Sequence, residues 1–239
     1  MRFGNLILVN NAEVPMSGWR QRLLVLSLFT VAMAYVESAV VVYLRQVYGI
    51  TDLLRDTPVQ PDWLTPIELG REIATLAMLF TAGWLAGRTP AARWGLFLYA
   101  WGLWDILYYV WLWVFIGWPA SPGDWDLLFL IPLPWWGPVW APMLAAAMMM
   151  GVGVRMARRS EEGYSVQLDG LSAGVGGIGA LIALYTVMAP ALHALPGGLE
   201  AIGRARPAEF LWWLYLLGWG LVAFAGWRIA QGRFKDPAL

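Results

Sequence analysis

Residues 23–48 read LLVLSLFTVAMAYVESAVVVYLRQVY, and this stretch decides the fold because it holds only two charged residues, Glu37 and Arg45. About 20 mostly apolar residues are enough for an α-helix to cross the hydrocarbon core of a membrane. Further runs of this kind cover residues 66–87, 92–117, 139–156, 171–192 and 210–229. They predict an all-α integral membrane protein with six transmembrane helices.

The composition agrees with this prediction. Of 239 residues, 59% are hydrophobic and 13% are charged, whereas soluble domains carry about 25% charged residues. The charges lie between the apolar runs, so we expect one six-helix domain at 21–232, an N-terminal arm at 1–20 and a short tail at 233–239, both cytoplasmic. The lipid bilayer is therefore the first partner that the sequence indicates.

Several classes of function are disfavoured by the residues that the chain lacks. The formal net charge is zero, which gives no argument for binding nucleic acid. The absence of cysteine excludes disulfides and thiolate metal sites. No phosphate-binding loop or dinucleotide fingerprint occurs, and His193 is the only histidine, so zinc and haem sites are disfavoured.

The basic residues predict an orientation, because Lys and Arg are retained on the cytoplasmic side. Those that flank the predicted spans on one side are Arg20, Arg22, Arg88, Arg93, Arg155, Arg158, Arg159, Arg228, Arg233 and Lys235. The alternate loops hold only Arg55, Arg204 and Arg206, with Arg45 close by. We therefore expect both termini in the cytoplasm of a bacterial cell, with the protein in its inner membrane.

Two segments depart from simple membrane-spanning helices. Residues 118–138, WPASPGDWDLLFLIPLPWWGP, are rich in proline and tryptophan, and their apolar core is too short to cross. We predict an outer segment that lies in the interface or re-enters the membrane. The fifth run begins GLSAGVGGIGA, where Gly170, Ala173, Gly174 and Gly177 favour close helix packing within the chain, with a dimer face as the alternative.

Ionisable residues inside a span are costly, so they mark a functional site or a structural ion pair. The first three spans hold Glu37, Arg45, Glu68, Arg71, Glu72 and Asp105, and helix geometry places most of them in the outer half of the membrane. Adjacent helices usually pack together. We therefore expect one polar cluster that opens outward, extended by Tyr108, Tyr109 and the loop residue Asp126.

This cluster has more acids than bases, and the surplus leaves several hypotheses open. Carboxylates can be protonated, a cation can bind, or water can enter. Our leading hypothesis is a protein that binds, senses or transports a small solute or a proton, and a cationic solute is one of the options. No metal or other cofactor is assigned beyond a cation in the cluster. The alternatives are a non-catalytic subunit of a larger assembly such as a respiratory complex, a homo-oligomer, a lipid-modifying or metal-dependent enzyme, or a purely structural ion-pair network. No catalytic residue is assigned.

Overall fold

The computed structural model describes residues 18–58, 60–231 and 233–234. Most of the predicted N-terminal arm and tail therefore lies outside the described residues. The long helices are α1 (Trp19–Tyr48), α3 (Thr65–Ala86), α4 (Pro90–Ile116), α5 (Trp140–Glu161), α6 (Gly170–Ala194) and α8 (Trp212–Gln231). The short elements are α2 (Leu53–Asp56), a 3₁₀ turn (Leu195–Gly197), α7 (Gly198–Arg204), and strands β1 (Trp125–Phe129), β2 (Trp135–Pro138), β3 (Tyr164–Ser165) and β4 (Arg233–Phe234).

Within the described residues, five of the long helices are long and apolar enough to cross a membrane: α1, α4, α5, α8, and α6 together with its continuation to Arg204. The chain is thus a helical protein of the multi-pass membrane type. Helix α3 is 22 residues long but is not one of these five. Its first two turns contain Glu68, Arg71 and Glu72, and these charges lower its apolarity.

The helices pack in pairs whose backbones touch through glycine. A methyl group added at Gly153 on α5 would lie 2.3 Å from the carbonyl oxygen of Gly95 on α4, and one at Gly218 on α8 would lie 2.7 Å from that of Gly179 on α6. Such distances leave no room for a side chain, so small residues set the helix separation.

The glycines predicted for this role were the wrong ones. Added methyl groups at Gly170, Gly174 and Gly177 would meet no described residue within 4 Å, whereas α8 approaches Gly176 and Gly179. The small residues of α6 lie on more than one face of the helix, and the position of α8 determines which of these faces forms the close helix contact.

The proline- and tryptophan-rich segment forms an antiparallel hairpin of β1 and β2, in which Asp126 lies opposite Gly137. Proline prevents a regular helix here, as expected, but the strand pairing was not predicted. Trp136 is only 2% exposed, so the hairpin packs into the helical bundle rather than lying on its surface.

At the opposite end of the bundle, Arg22 at the start of α1 joins three parts of the chain. Its guanidinium pairs with Glu161 at the end of α5 and donates to the carbonyl oxygen of Ala86 at the end of α3. This contact fixes the ends of α1, α3 and α5 relative to one another, and it leaves the other ends of α1 and α3 to frame the polar cluster described next.

Candidate functional site: a charged cavity between α1, α3 and the hairpin

Arg71 is the centre of the first group of charges. It lies one turn after Glu68 on α3, and its Nε donates to Glu68 Oε2 at 2.8 Å. The same guanidinium forms an ion pair with Glu37 of α1, and Thr75 donates to the other Glu37 oxygen at 3.0 Å. Glu37 is 7% exposed, so its charge is compensated by an arginine and a hydroxyl group in a nearly dry environment.

Glu72 connects α3 to the hairpin. Both of its carboxylate oxygens accept from the backbone N–H of Leu130, at 3.0 and 3.1 Å, and the residue is 5% exposed. The i, i+4 spacing from Glu68 directs both carboxylates to one side of α3. This hydrogen bond holds the hairpin against α3 and fixes one wall of the site.

Asp126 of β1 connects the hairpin to α1 and α4. Tyr109 donates its hydroxyl to Asp126 Oδ2 at 2.9 Å, and an Arg45 nitrogen lies 3.9 Å from Oδ1. Burial raises the pKa of the Asp126 carboxyl, and Arg45, Tyr109 and the Leu127 amide offset only part of this effect. The Arg45 guanidinium also lies 3.9 Å from the ring centroid of Trp118, a cation–π contact that adds to its stabilisation.

These groups surround a cavity of about 630 Å³, which falls within the usual size range for small-molecule sites. Residues from α1, α3, α4 and the hairpin form its walls, and the segments around α2 and α7 cover it. Its charged and phenolic lining residues are Arg45, Tyr48, Glu68, Arg71, Glu72, Tyr108 and Asp126. Most of the remaining lining is aliphatic, including Val41, Leu44, Leu53, Ile73, Leu133, Leu199 and Ile202. The cavity is therefore amphipathic.

The charges of the lining do not cancel. Within the described part of the chain, three carboxylates and two guanidinium groups line the cavity, which leaves one excess negative charge when all are ionised. Glu37, directly behind Arg71, makes the excess two. Because carboxylates attract cations at such short range, the cavity can favour a positively charged guest over a neutral or negative one.

The structure brings together most of the residues that the sequence indicated. Arg45, Glu68, Arg71, Glu72, Tyr108 and Asp126 line the cavity, and Glu37 and Tyr109 are in direct contact with lining residues. Asp105 does not line it. Its carboxylate is close enough to Asp126 for mutual repulsion, but it forms no hydrogen bond or ion pair with any described residue. In particular, Asp105 is not joined to Arg71.

Sequence reasoning missed several contributors to the site. The Leu130 backbone amide, which binds Glu72, belongs to an apolar residue. Thr75 could have been found as the residue one turn beyond Arg71 on the same face of α3. Trp118 was one of 17 tryptophans, and only the fold distinguishes it by placing it against Arg45.

Among residues 18–58, 60–231 and 233–234, no three His, Cys, Asp or Glu side chains are grouped so that they could hold a metal ion. The acids of the site instead pair with Arg45, Arg71, Tyr109 and the Leu130 amide. The side chains of the site offer a guest charge, hydrogen bonds and apolar contact.

Comparison of the chain with known protein families, with curated proteins and with solved structures finds no match.

Proposed function

We propose that the chain crosses a bacterial inner membrane six times, with α3 as the additional span and both termini in the cytoplasm. The arginine distribution supports this orientation, because the ends of the helices near Arg22, Arg155 and Arg228 are more basic than the opposite ends. The polar start of α3 is compatible with a span because its charges are paired with α1 and the hairpin rather than exposed to lipid.

The absence of native cysteine makes the topology easy to test. Trp63 and Leu168 are exposed, at 72% and 66%, and Trp63→Cys and Leu168→Cys can each be labelled in intact cells with a membrane-impermeant maleimide. Six spans put these positions on opposite sides, so only Trp63→Cys is labelled before lysis. If α3 does not cross, both positions lie on the same side and label alike.

We propose further that the protein binds a small amphipathic solute, preferentially an organic cation, in the cavity between α1, α3 and the hairpin. The observation that carries this proposal is the cavity itself, in which an excess of carboxylates faces aliphatic walls. A cationic head would lie near Glu68 and Glu72, while an apolar body would contact residues such as Leu44 and Leu133. Sensing or transport of this solute would both begin with such binding.

The test uses tetraphenylphosphonium, a lipophilic cation, and triphenylphosphine oxide, a neutral compound of similar shape. Equilibrium dialysis of the detergent-solubilised protein, with detergent alone as blank, should show saturable binding of the cation and much weaker binding of the neutral compound. Glu68→Gln should weaken cation binding at least tenfold, because it removes a carboxylate and leaves the neighbouring positive charge of Arg71 without this partner.

The control is Glu162→Gln, which removes a carboxylate of an exposed i, i+4 pair with Arg158 at the opposite end of the bundle and should leave the affinity unchanged. Equal binding of the charged and neutral compounds would refute a cation site. An unchanged affinity in Glu68→Gln would show that the cation binds elsewhere.

A second candidate function is a non-catalytic subunit of a larger membrane assembly. The open face of α6 favours it, because a methyl group added at Gly170, Gly174 or Gly177 would meet no other described residue within 4 Å, which leaves room for a partner helix. Extraction in a mild detergent distinguishes the two functions. Stoichiometric co-purification of another protein supports the subunit, and a stable single species counts against it.

A further inference from the structure

A second concave surface lies at the arginine-rich end of the bundle, between α4 and α5. It encloses about 790 Å³ and is separate from the charged cavity in its lining. Tyr99 of α4 and Met150 and Val154 of α5 form its apolar part, and Arg155, Arg158 and Arg159 form its basic part. An apolar half thus adjoins a strongly basic half.

The basic half is only partly neutralised. Arg158 is 68% exposed and pairs with Glu162, and Arg159 lies 4.3 Å from the ring centroid of Tyr164. Arg155 is exposed and forms no hydrogen bond or ion pair with a described residue. Among the residues that the structure describes, three guanidinium groups therefore face one carboxylate, and the surplus of positive charge is two.

The groove runs along the axis of α5. Met150 and Arg158 are eight residues apart on α5, a rise of about 12 Å, so the apolar half extends from the basic end toward the middle of the bilayer. A methyl group added at Gly151 would meet nothing within 4 Å, which keeps the groove open at this level. Tyr99, whose hydroxyl is hydrogen-bonded to Ser27, presents a ring to the groove.

We propose that this groove is a binding site for an anionic phospholipid. The phosphate would lie at Arg155 and Arg158, and an acyl chain would lie along Tyr99, Met150 and Val154. Basic pockets between helices near the cytoplasmic surface suit anionic head groups, and a free phosphate ion would make no use of the apolar half. The charge complementarity and the continuous apolar wall together favour lipid over a soluble anion.

Native mass spectrometry of the delipidated protein tests the proposal with phosphatidylglycerol and phosphatidylcholine of matched acyl chains. The protein should bind phosphatidylglycerol in preference. Each arginine near an anionic head group contributes about a fivefold effect on affinity. We therefore expect about fivefold weaker binding of phosphatidylglycerol in Arg155→Gln and about 25-fold weaker binding in the variant that also carries Arg158→Gln. Binding of phosphatidylcholine should not change.

The matched control is Arg204→Gln. Arg204 is also 68% exposed and also forms an i, i+4 pair with a glutamate, but it lies on α7, remote from the groove, so its loss should not affect lipid binding. The proposal is overturned if the double substitution leaves phosphatidylglycerol affinity at the wild-type level, or if Arg204→Gln lowers it equally. It is also overturned if soluble glycerol phosphate displaces the lipid at comparable concentrations, because the groove would then recognise the anion alone.

Discussion

Replacement of Arg71 by methionine tests whether the ion pairs of the cavity hold α1 and α3 together. Removal of one partner of a buried ion pair costs about 3–5 kcal/mol, since the other charge is left without compensation. The Glu37 side chain is 9% exposed and that of Arg71 20%. Because the cavity admits some water to Arg71, we expect the lower end of this range, a loss of about 3 kcal/mol in the free energy of unfolding.

The assay is unfolding by sodium dodecyl sulfate in mixed micelles, followed by circular dichroism. Combining Arg71→Met with Glu37→Gln should recover at least about 1 kcal/mol relative to the sum of the single costs, since residues in direct contact are coupled. Arg204→Met, which breaks an exposed pair, should change stability little. Additive single costs, within about 0.5 kcal/mol, would refute the reasoning.

Three further predictions concern the helix packing, the start of α6 and the cover of the cavity. Gly218→Ala should destabilise the protein by about 1–3 kcal/mol because of overpacking against α6. The control is Gly220→Ala, whose added methyl group would meet no described residue within 4 Å and should be neutral or slightly stabilising. Melting temperatures of the two variants are compared with that of wild type. Hydrogen bonds from the Ser172 backbone and side chain, with Arg228, lower the pKa of Asp169. The ionised Asp169 carboxylate therefore stabilises the fold at a pH above the unfolded pKa of about 3.9. Above this pH, wild type should melt at a higher temperature than Asp169→Asn. This difference should disappear as the pH falls through the lowered pKa of Asp169 in the folded protein. Arg206 donates to the carbonyl oxygens of Leu54 and Thr57. Arg206→Gln should therefore speed amide hydrogen exchange of residues 52–58 at least tenfold. Unchanged exchange would contradict a role for Arg206 in holding the segment around α2 over the cavity.

The long helices were predictable because each apolar run had to be long enough to cross a bilayer. The predicted end of the fourth run at Met156 was too early, since α5 continues to Glu161 and its last turns carry arginines instead of apolar residues. The short elements α2 and α7 were not predicted, because four and seven residues are too few for a periodic pattern. Their positions depend on contacts distant in sequence, such as those of Arg206.

The candidate site was predictable as a set of residue types but not as a set of partners. Intramembrane charge identified Glu37 and Arg71, and helix spacing placed Glu68 beside Arg71. Spacing could not reveal that Glu72 binds the amide of a hairpin residue, because the hairpin's position is a property of the folded chain. Asp105 carried the same sequence signal as Glu37 but, unlike Glu37, forms no ion pair with Arg71, since depth in the membrane does not specify the helix face that meets a neighbour.

The most direct test of the cavity as a cation site is a crystal structure of the protein with tetraphenylarsonium, because the anomalous signal of arsenic locates the centre of the cation without ambiguity. We expect one strong peak inside the cavity of about 630 Å³, nearer to Glu68 and Glu72 than to Arg45. A peak only outside this cavity, with saturated cation and an unaltered arrangement of α1, α3 and the hairpin, would contradict the proposed function.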